Sequence, residues 1–280
     1  MLSRIFKARS LEIPQIGLGT SQLRGTLCTQ TLNYAISLGY KHFDTSPSYL
    51  NEHMIAISIA RVNRNSLFIT SKVSYGFMSH SRAQMSIHKS LDSLKTTYLD
   101  LALIEWPGVR GADRTSKINK DRRLETWQSL IEMKKKGLIK HIGVANFSKH
   151  HIEEFESSAL ELPEVNQIEF HPLNFNKELY NFCNEKKIQI IAHTPLARGS
   201  NGIWGLLDVK LMAIKYKVEV AQVILRWTLD KGIAVIPKSQ NYEKIRKNSN
   251  LDFQLEPNDT EYLNSLNKNI YISADPTGVK

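Results

Sequence analysis

Cysteine is nearly absent from this chain of 280 residues, with only Cys28 and Cys183. Two cysteines build no disulfide framework and have no metal-ligand spacing, so no metal site is expected and a reducing compartment is the natural setting. Glycine, at 14, and proline, at 9, are too scarce for a collagen-like or linker-dominated chain. No apolar run approaches the ~18 residues of a membrane-spanning helix. No low-complexity segment interrupts the chain. No acid precedes Glu12 in the basic opening MLSRIFKARS. Transit peptides share that charge pattern, but this segment is short and runs straight into the first structural pattern. It reads as a surface hairpin of a cytoplasmic protein.

What is present is enough apolar material for a large core: 41% of residues are hydrophobic and 23% charged, which excludes disorder. Lys and Arg number 37 against 27 Asp and Glu, a net charge of +10. The cations are scattered, which points to a basic surface and not to a nucleic-acid interface. The densest run, Lys134, Lys135 and Lys136 before Gly137, sits where a helix is expected to end. Cations there complement the helix dipole, and glycine suits the left-handed cap.

Short β-rich runs alternate with amphipathic ones. The runs cover 16–18, 41–45, 67–73, 99–106, 141–146, 165–170, 188–194 and 233–236. Each is short and apolar enough for a buried strand. Helical spacing appears at 29–38, 81–95, 124–136, 176–187 and 220–230. Such alternation implies parallel pairing with right-handed crossovers. About eight units in some ~250 residues predict a single (β/α)8 barrel of the α/β class. An open dinucleotide-binding sheet would carry G-x-G-x-x-G after its first strand. Here Gly17-Leu18-Gly19-Thr20-Ser21 leads to Gln22, which stands in the place of the third glycine.

Barrel active sites gather at the C-terminal ends of strands. Those ends carry Asp44 with Tyr49 close behind, then Lys72, Glu105, Asn146, Gln167, His193, and Lys238 with Ser239. Each alone has a bland explanation as a cap, a turn former or a solvated end. Their convergence on one mouth is the informative fact. A free phenol titrates near ~10, too weak an acid for neutral pH. A neighbouring ammonium favours phenolate, and a carboxylate keeps that ammonium charged. Tyr49, Lys72 and Asp44 therefore form a general-acid unit for a carbonyl oxygen gaining charge as hydride arrives. No side chain supplies hydride, so a donor such as a nicotinamide is needed.

These residues sit in stretches that resemble the aldo-keto reductases over nearly the whole chain. The stretches are IPQIGLGT (13–20), GYKHFDTSPSYLNE (39–52), FITSKV (68–73), YLDLALIEWPG (98–108), IGVANFS (142–148), NQIEFHPL (166–173), AHTPLARG (192–199) and IAVIPKS (233–239). The resemblance implies one barrel domain over 1–280, closed at its base by an N-terminal hairpin. It implies NADPH across the mouth and reduction of aldehydes or ketones to alcohols, by a monomer without nucleic-acid or membrane partners. Asp44, Tyr49 and Lys72 match catalytic positions. Gly19, Thr20, Asp44, Asn146, Gln167, His193, Thr194, Leu196, Lys238, Ser239, Lys244 and Asn248 match the cofactor site, with Lys238 and Ser239 toward the 2′-phosphate. Trp106, directly after Glu105, reads as partly core and partly substrate wall, and Trp204, in the loop after the seventh strand, as a second substrate contact.

The departures bear on chemistry. Glu105 replaces the usual catalytic His, a change similar to that in the steroid 5β-reductases. A carboxyl there donates to the substrate oxygen only when protonated, which burial in an apolar mouth favours. It raises reduction of a C=C bond conjugated to a carbonyl as one alternative, and a cofactor-binding barrel with weak or no activity as another. Ala145 replaces a common Ser, His193 a stacking Tyr, Lys244 an Arg, and Lys247 a Glu. Lys244 keeps charge but not the bidentate geometry of guanidinium. His171 reads as scaffold, and His150-His151 as a solvated helix start. The loop 109–121 rims the mouth with Arg110, Arg114, Lys117 and Lys120, and the tail 271–280 is short and polar, leaving an open mouth for an enone or carbonyl substrate.

Overall fold

In the computed structural model, which describes residues 2–280, the chain opens with an antiparallel hairpin, β1 (Ile5–Ala8) and β2 (Leu11–Pro14). Eight parallel strands follow: β3 (Gly17–Gly19), β4 (His42–Asp44), β5 (Phe68–Val73), β6 (Leu99–Ile104), β7 (Ile139–Ala145), β8 (Val165–Glu169), β9 (Gln189–His193) and β10 (Ala234–Val235). Each pairs with the next in chain order. A parallel bridge from Ile16 to Val235 joins the two edges, helped by Val235 N–H donating to the Gln15 carbonyl at 2.9 Å. This is the expected (β/α)8 barrel.

The helices are α1 (Gly25–Ser37), α2 (Glu52–Ile59), α3 (His80–Leu94), α4 (Ile118–Lys135), α5 (Lys149–Ser157), α6 (Lys177–Glu185), α7 (Asn201–Trp204), α8 (Leu207–Lys215), α9 (Val220–Asp230), α10 (Tyr242–Ser249) and α11 (Pro257–Ser265). β5 and β6 are buried along their whole length, because helices cover one face and the barrel interior the other. That is why these strands show no apolar–polar alternation.

Two apolar layers result. Phe68, Leu101, Leu103, Val165, Ile191 and Ala234 fill the barrel, and Leu11 and Ile13 of β2 pack against them from below. The hairpin therefore closes the base. Outside the strands, Trp127 and Phe155 stack at 4.7 Å within the helix layer. Gly143 is required by close approach: a Cβ there would lie 2.6 Å from the Val165 carbonyl oxygen. Gly137 caps α4 with φ 77°, as its place after three lysines predicts.

Three sequence expectations need correction. α1 begins at Gly25, not 29; Thr29 lies inside it and returns its hydroxyl to the Thr26 carbonyl at 2.9 Å. α4 begins at Ile118, not 124, because buried Asn119 ties the Val109 N–H and the Asp113 and Arg114 carbonyls into its first turn. The rim loop is correspondingly shorter. His151 is fully buried, not solvated. Its Nδ1 accepts from Ser148 N–H and its Nε2 donates to the Val279 carbonyl at 2.9 Å. Burial and the Arg123 charge push this imidazole down to about 3, so it stays neutral.

Candidate active site

Lys72, near the end of β5, lies at the centre of the mouth with 1% exposure. Its Nζ donates to Asp44 Oδ1 at 2.6 Å, to the Thr45 carbonyl at 3.0 Å and to Tyr49 Oη at 3.2 Å. Asp44 ends β4, and Tyr49 ends a single 3-10 turn, Pro47–Tyr49, capped by the Ser46 hydroxyl. The turn swings Tyr49 back over the strand ends. Asp44 Oδ2 accepts from Gln167 Nε2 at 2.7 Å, so both carboxylate oxygens are satisfied. The catalytic trio inferred from sequence is thus one hydrogen-bonded unit.

The electrostatics differ from the sequence argument in one respect. Burial pushes the Tyr49 phenol up, and Lys72 only opposes that rise, while Asp44 and Glu105 add to it. Tyr49 is therefore held protonated, the form a proton donor needs. Burial works against the Lys72 charge, but Asp44 and Tyr49 outweigh it and keep the ammonium charged.

Glu105 follows β6 at the mouth, partly exposed. It is not sealed in an apolar pocket. Ser48 Oγ donates to Glu105 Oε1 at 2.9 Å and sits 3.3 Å from Oε2, and Ser48 in turn contacts Ser46 Oγ at 2.7 Å. The carboxyl group acts here as an acceptor. Sequence reasoning passed over Ser48; the Ser-Pro-Ser triplet before Tyr49 was the available signal.

The residues expected from the sequence at the cofactor site divide into three groups. Asn146 sits at φ 64° after β7; its Nδ2 donates to the Glu105 carbonyl at 2.9 Å and its Oδ1 lies 2.7 Å from His193 Nε2. His193 also contacts Thr194 Oγ1 at 3.1 Å, and burial pushes its ring down to about 4, leaving a neutral face for stacking. Gly19 and Thr20 are buried, and the Thr20 N–H and hydroxyl both donate to the Asp44 carbonyl, so they brace the site. Lys238, shortly before α10, and Lys244, in its first turn, are exposed and form no ion pair among the described residues. Among the described residues Lys238 Nζ donates to neutral Gln22 Oε1, at 2.9 Å, with Ser239 next to it. Asn248 is buried in α10, while Lys247 turns to Glu219 at 2.7 Å.

These residues suit a phosphorylated dinucleotide. Cations lacking acidic partners at a helix start fit a phosphate dianion. The side-chain Oε1 of Gln167 takes no bond from the described residues, which leaves it available to a carboxamide. Of the two residues expected from the sequence to wall the substrate, Trp106 directly follows Glu105, and the Trp204 indole donates to the Leu196 carbonyl at 3.1 Å.

The tail is short but tied down. Glu169 accepts from the Ile272 and Ser273 N–H groups and the Ser273 hydroxyl, and from His171 Nε2 at 2.9 Å. Fully buried Arg123 grips Glu154 with two bonds and reaches the Pro107 and Lys280 carbonyls. Val279 is buried against Gly108 beside Trp106.

A family model described as the aldo/keto reductase family matches residues 15–201. A glyoxal reductase of Bacillus subtilis (strain 168) is 38% identical over 273 residues, spanning 95% of this chain and 93% of the relative. A methylglyoxal reductase of Escherichia coli O157:H7 is 35% identical over 94% of this chain and 93% of its own. A crystal structure of an aldo-keto reductase from Bombyx mori in complex with NADP superposes with a TM-score of 0.87 at 29% identity, covering 98% of this chain and 96% of that one. No helix of the described residues is long and apolar enough to cross a membrane. With the barrel, the Asp44–Lys72–Tyr49 unit and these matches in agreement, the chain belongs to the aldo/keto reductase family of oxidoreductases.

Proposed function

We propose that this chain is an NADPH-dependent reductase of small aldehydes and ketones. It acts as one barrel domain over 1–280, and as a monomer, since one chain supplies every residue of the site. The observation that carries the reading is Lys72 bridging Asp44 and Tyr49 at hydrogen-bond distance inside a buried mouth. The relatives named as glyoxal and methylglyoxal reductases support a small carbonyl substrate.

NADPH, when bound, supplies the hydride. Asn146 and Gln167 would hold its carboxamide, and His193 would lie beside the nicotinamide. Lys238, Ser239 and Lys244 would take the 2′-phosphate, with Asn248 and Leu196 alongside. Tyr49 Oη donates its proton to the substrate oxygen as charge develops there. Lys72 stabilises the phenolate left behind, and Asp44 keeps Lys72 charged and in place. Trp106 and Trp204 wall the substrate from water.

A second reading rests on Glu105. Its carboxyl group is close enough to Tyr49 and Lys72 to act on both electrostatically. A protonated Glu105 would polarise an enone and direct hydride to the β-carbon. Its two carboxyl oxygens lie 2.9 and 3.3 Å from Ser48 Oγ, at the edge of the mouth. The deciding experiment gives the protein NADPH and a conjugated enal, with products identified by NMR. An allylic alcohol supports carbonyl reduction. A saturated aldehyde moves the assignment to the C=C bond. Tight NADPH binding with no product from a panel of carbonyls would make the barrel catalytically silent.

A further inference from the structure

Beside the catalytic mouth lies a second concavity, a groove of about 950 Å³ between the loop after β5, the loop after β6 and helix α3. It starts at Pro47 and Ser48, immediately before Tyr49. The Arg110 N–H donates to the Tyr75 carbonyl at 3.0 Å and ties the two loops together.

The lining is chemically one-sided. Four cations face the groove, Arg82, Lys89, Arg110 and Arg122, and no Asp or Glu does. Arg122 is paired with Glu125 at 2.6 Å. Arg82, Lys89 and Arg110 form no ion pair among the described residues. The floor adds two rings that water does not favour: Tyr75 is 42% exposed and Phe77 39%. The start of α3 also opens here. Ser79 caps it, its first turn carries no acid, and its fifteen-residue dipole adds positive potential.

Scattered cations are ordinary on a protein of net charge +10. Cations collected in one concavity, with exposed aromatics and no acid, are a different matter. Concave sites with a few convergent polar groups over apolar walls are where small ligands bind. Glu105 sharpens the orientation. An acceptor carboxyl group at the mouth repels an anion placed beside Tyr49, whereas the groove attracts one.

We propose that this groove is a specificity subsite for the anionic end of the substrate. The substrate class is an aldehyde or ketone carrying a carboxylate or phosphate, separated from the carbonyl by an aromatic or apolar spacer. The carbonyl lies at Tyr49, the spacer lies along Tyr75 and Phe77, and the anion meets Arg82, Lys89 and Arg110. This inference rests on the proposed carbonyl reductase reading.

The test uses 4-formylbenzoate, 4-formylphenyl phosphate and neutral methyl 4-formylbenzoate with NADPH. In parallel, calorimetry measures binding of 4-(hydroxymethyl)benzoate and its methyl ester to the NADP-loaded protein. The carboxylate is expected to bind about tenfold more tightly than the ester, with a matching fall in KM for the anionic aldehydes. In the exposed-site variants Arg82→Gln and Arg110→Gln that preference is lost, while the neutral aldehyde is unaffected. A stronger effect with the phosphate than with the carboxylate assigns the anion as a phosphate ester, and the reverse as a carboxylate. Equal binding of acid and ester, or a preference that survives both substitutions, overturns the subsite. Failure to reduce any aldehyde while the carboxylate preference holds overturns the reductase reading alone.

Discussion

Lys72 sits 2.6 Å from Asp44, and neither side chain is more than 3% exposed. A buried ion pair of this kind costs desolvation that its own attraction only partly offsets. Here the remaining Lys72 protons go to the Thr45 carbonyl and Tyr49 Oη, and the second Asp44 oxygen takes the Gln167 amide. Every polar atom is used, and the phenol is positioned as a consequence.

Tyr49→Phe removes the donated proton and leaves the pair intact. Turnover of a small aldehyde is expected to fall by about 10²- to 10⁴-fold, with NADPH affinity unchanged by fluorescence titration. Retained turnover would remove Tyr49 from its assigned role.

Lys72→Met leaves Asp44 buried with one amide donor. Breaking a buried pair by removing one partner costs about 3–5 kcal/mol, roughly a 10 °C fall in Tm. The double variant Lys72→Met/Asp44→Asn is expected to recover much of that stability but no activity. Calorimetric melts of the three proteins check it; a Lys72→Met variant as stable as the parent would contradict the coupling.

Glu105→His replaces an acceptor carboxyl group near the reacting oxygen with a neutral donor. At a few ångströms and an effective dielectric of ~20, removing the repulsion is worth more than 1 kcal/mol, so kcat/KM for a simple aldehyde is expected to rise about tenfold. Steady-state kinetics with product NMR test this. A loss of activity together with loss of C=C reduction would favour the second reading.

Lys238→Ala removes a cation without an acidic partner from the proposed 2′-phosphate site. Charge-assisted bonds are worth about 1.5–3 kcal/mol, so NADPH affinity is expected to drop about 10- to 100-fold. NADH, which lacks that phosphate, should bind as before. Equal losses for both cofactors would mean Lys238 acts elsewhere.

Acid is expected to weaken the fold through Glu169. Burial alone would raise its carboxyl, but the donors from His171, Ile272 and Ser273 outweigh that and hold it at about 2. A folded value below the ordinary 4.5 stabilises at neutral pH, and that contribution is lost as pH falls from 4.5 toward 2. The effect is about 3 kcal/mol. Thermal melts between pH 7 and pH 3 should show a shallower acid decline for Glu169→Gln than for the parent. Parallel slopes would dismiss it.

The barrel was readable from residue order. The buried strands are continuous apolar runs, the crossovers have helical spacing, and a parallel sheet of about eight such units closes in only a few ways. The polar strand ends Asp44, Lys72, Asn146 and Gln167 were readable too, because a barrel brings successive strand ends to one mouth. Helix starts were less legible. α4 gains its first turn from Asn119, whose bonds run to loop carbonyls that no local pattern reveals.

What the sequence by itself determined is the scaffold and a candidate set of polar groups at its strand ends, with a Glu standing among them. Only the tertiary structure decided their states. Ser48 reaches Glu105 across 57 positions, and His151 meets Val279 across 128, distances in sequence over which spacing carries no information. Proton affinities follow from the same cause. Whether burial or a neighbouring charge prevails at Tyr49 depends on how much solvent the packed mouth excludes, and that exists only once the chain has folded.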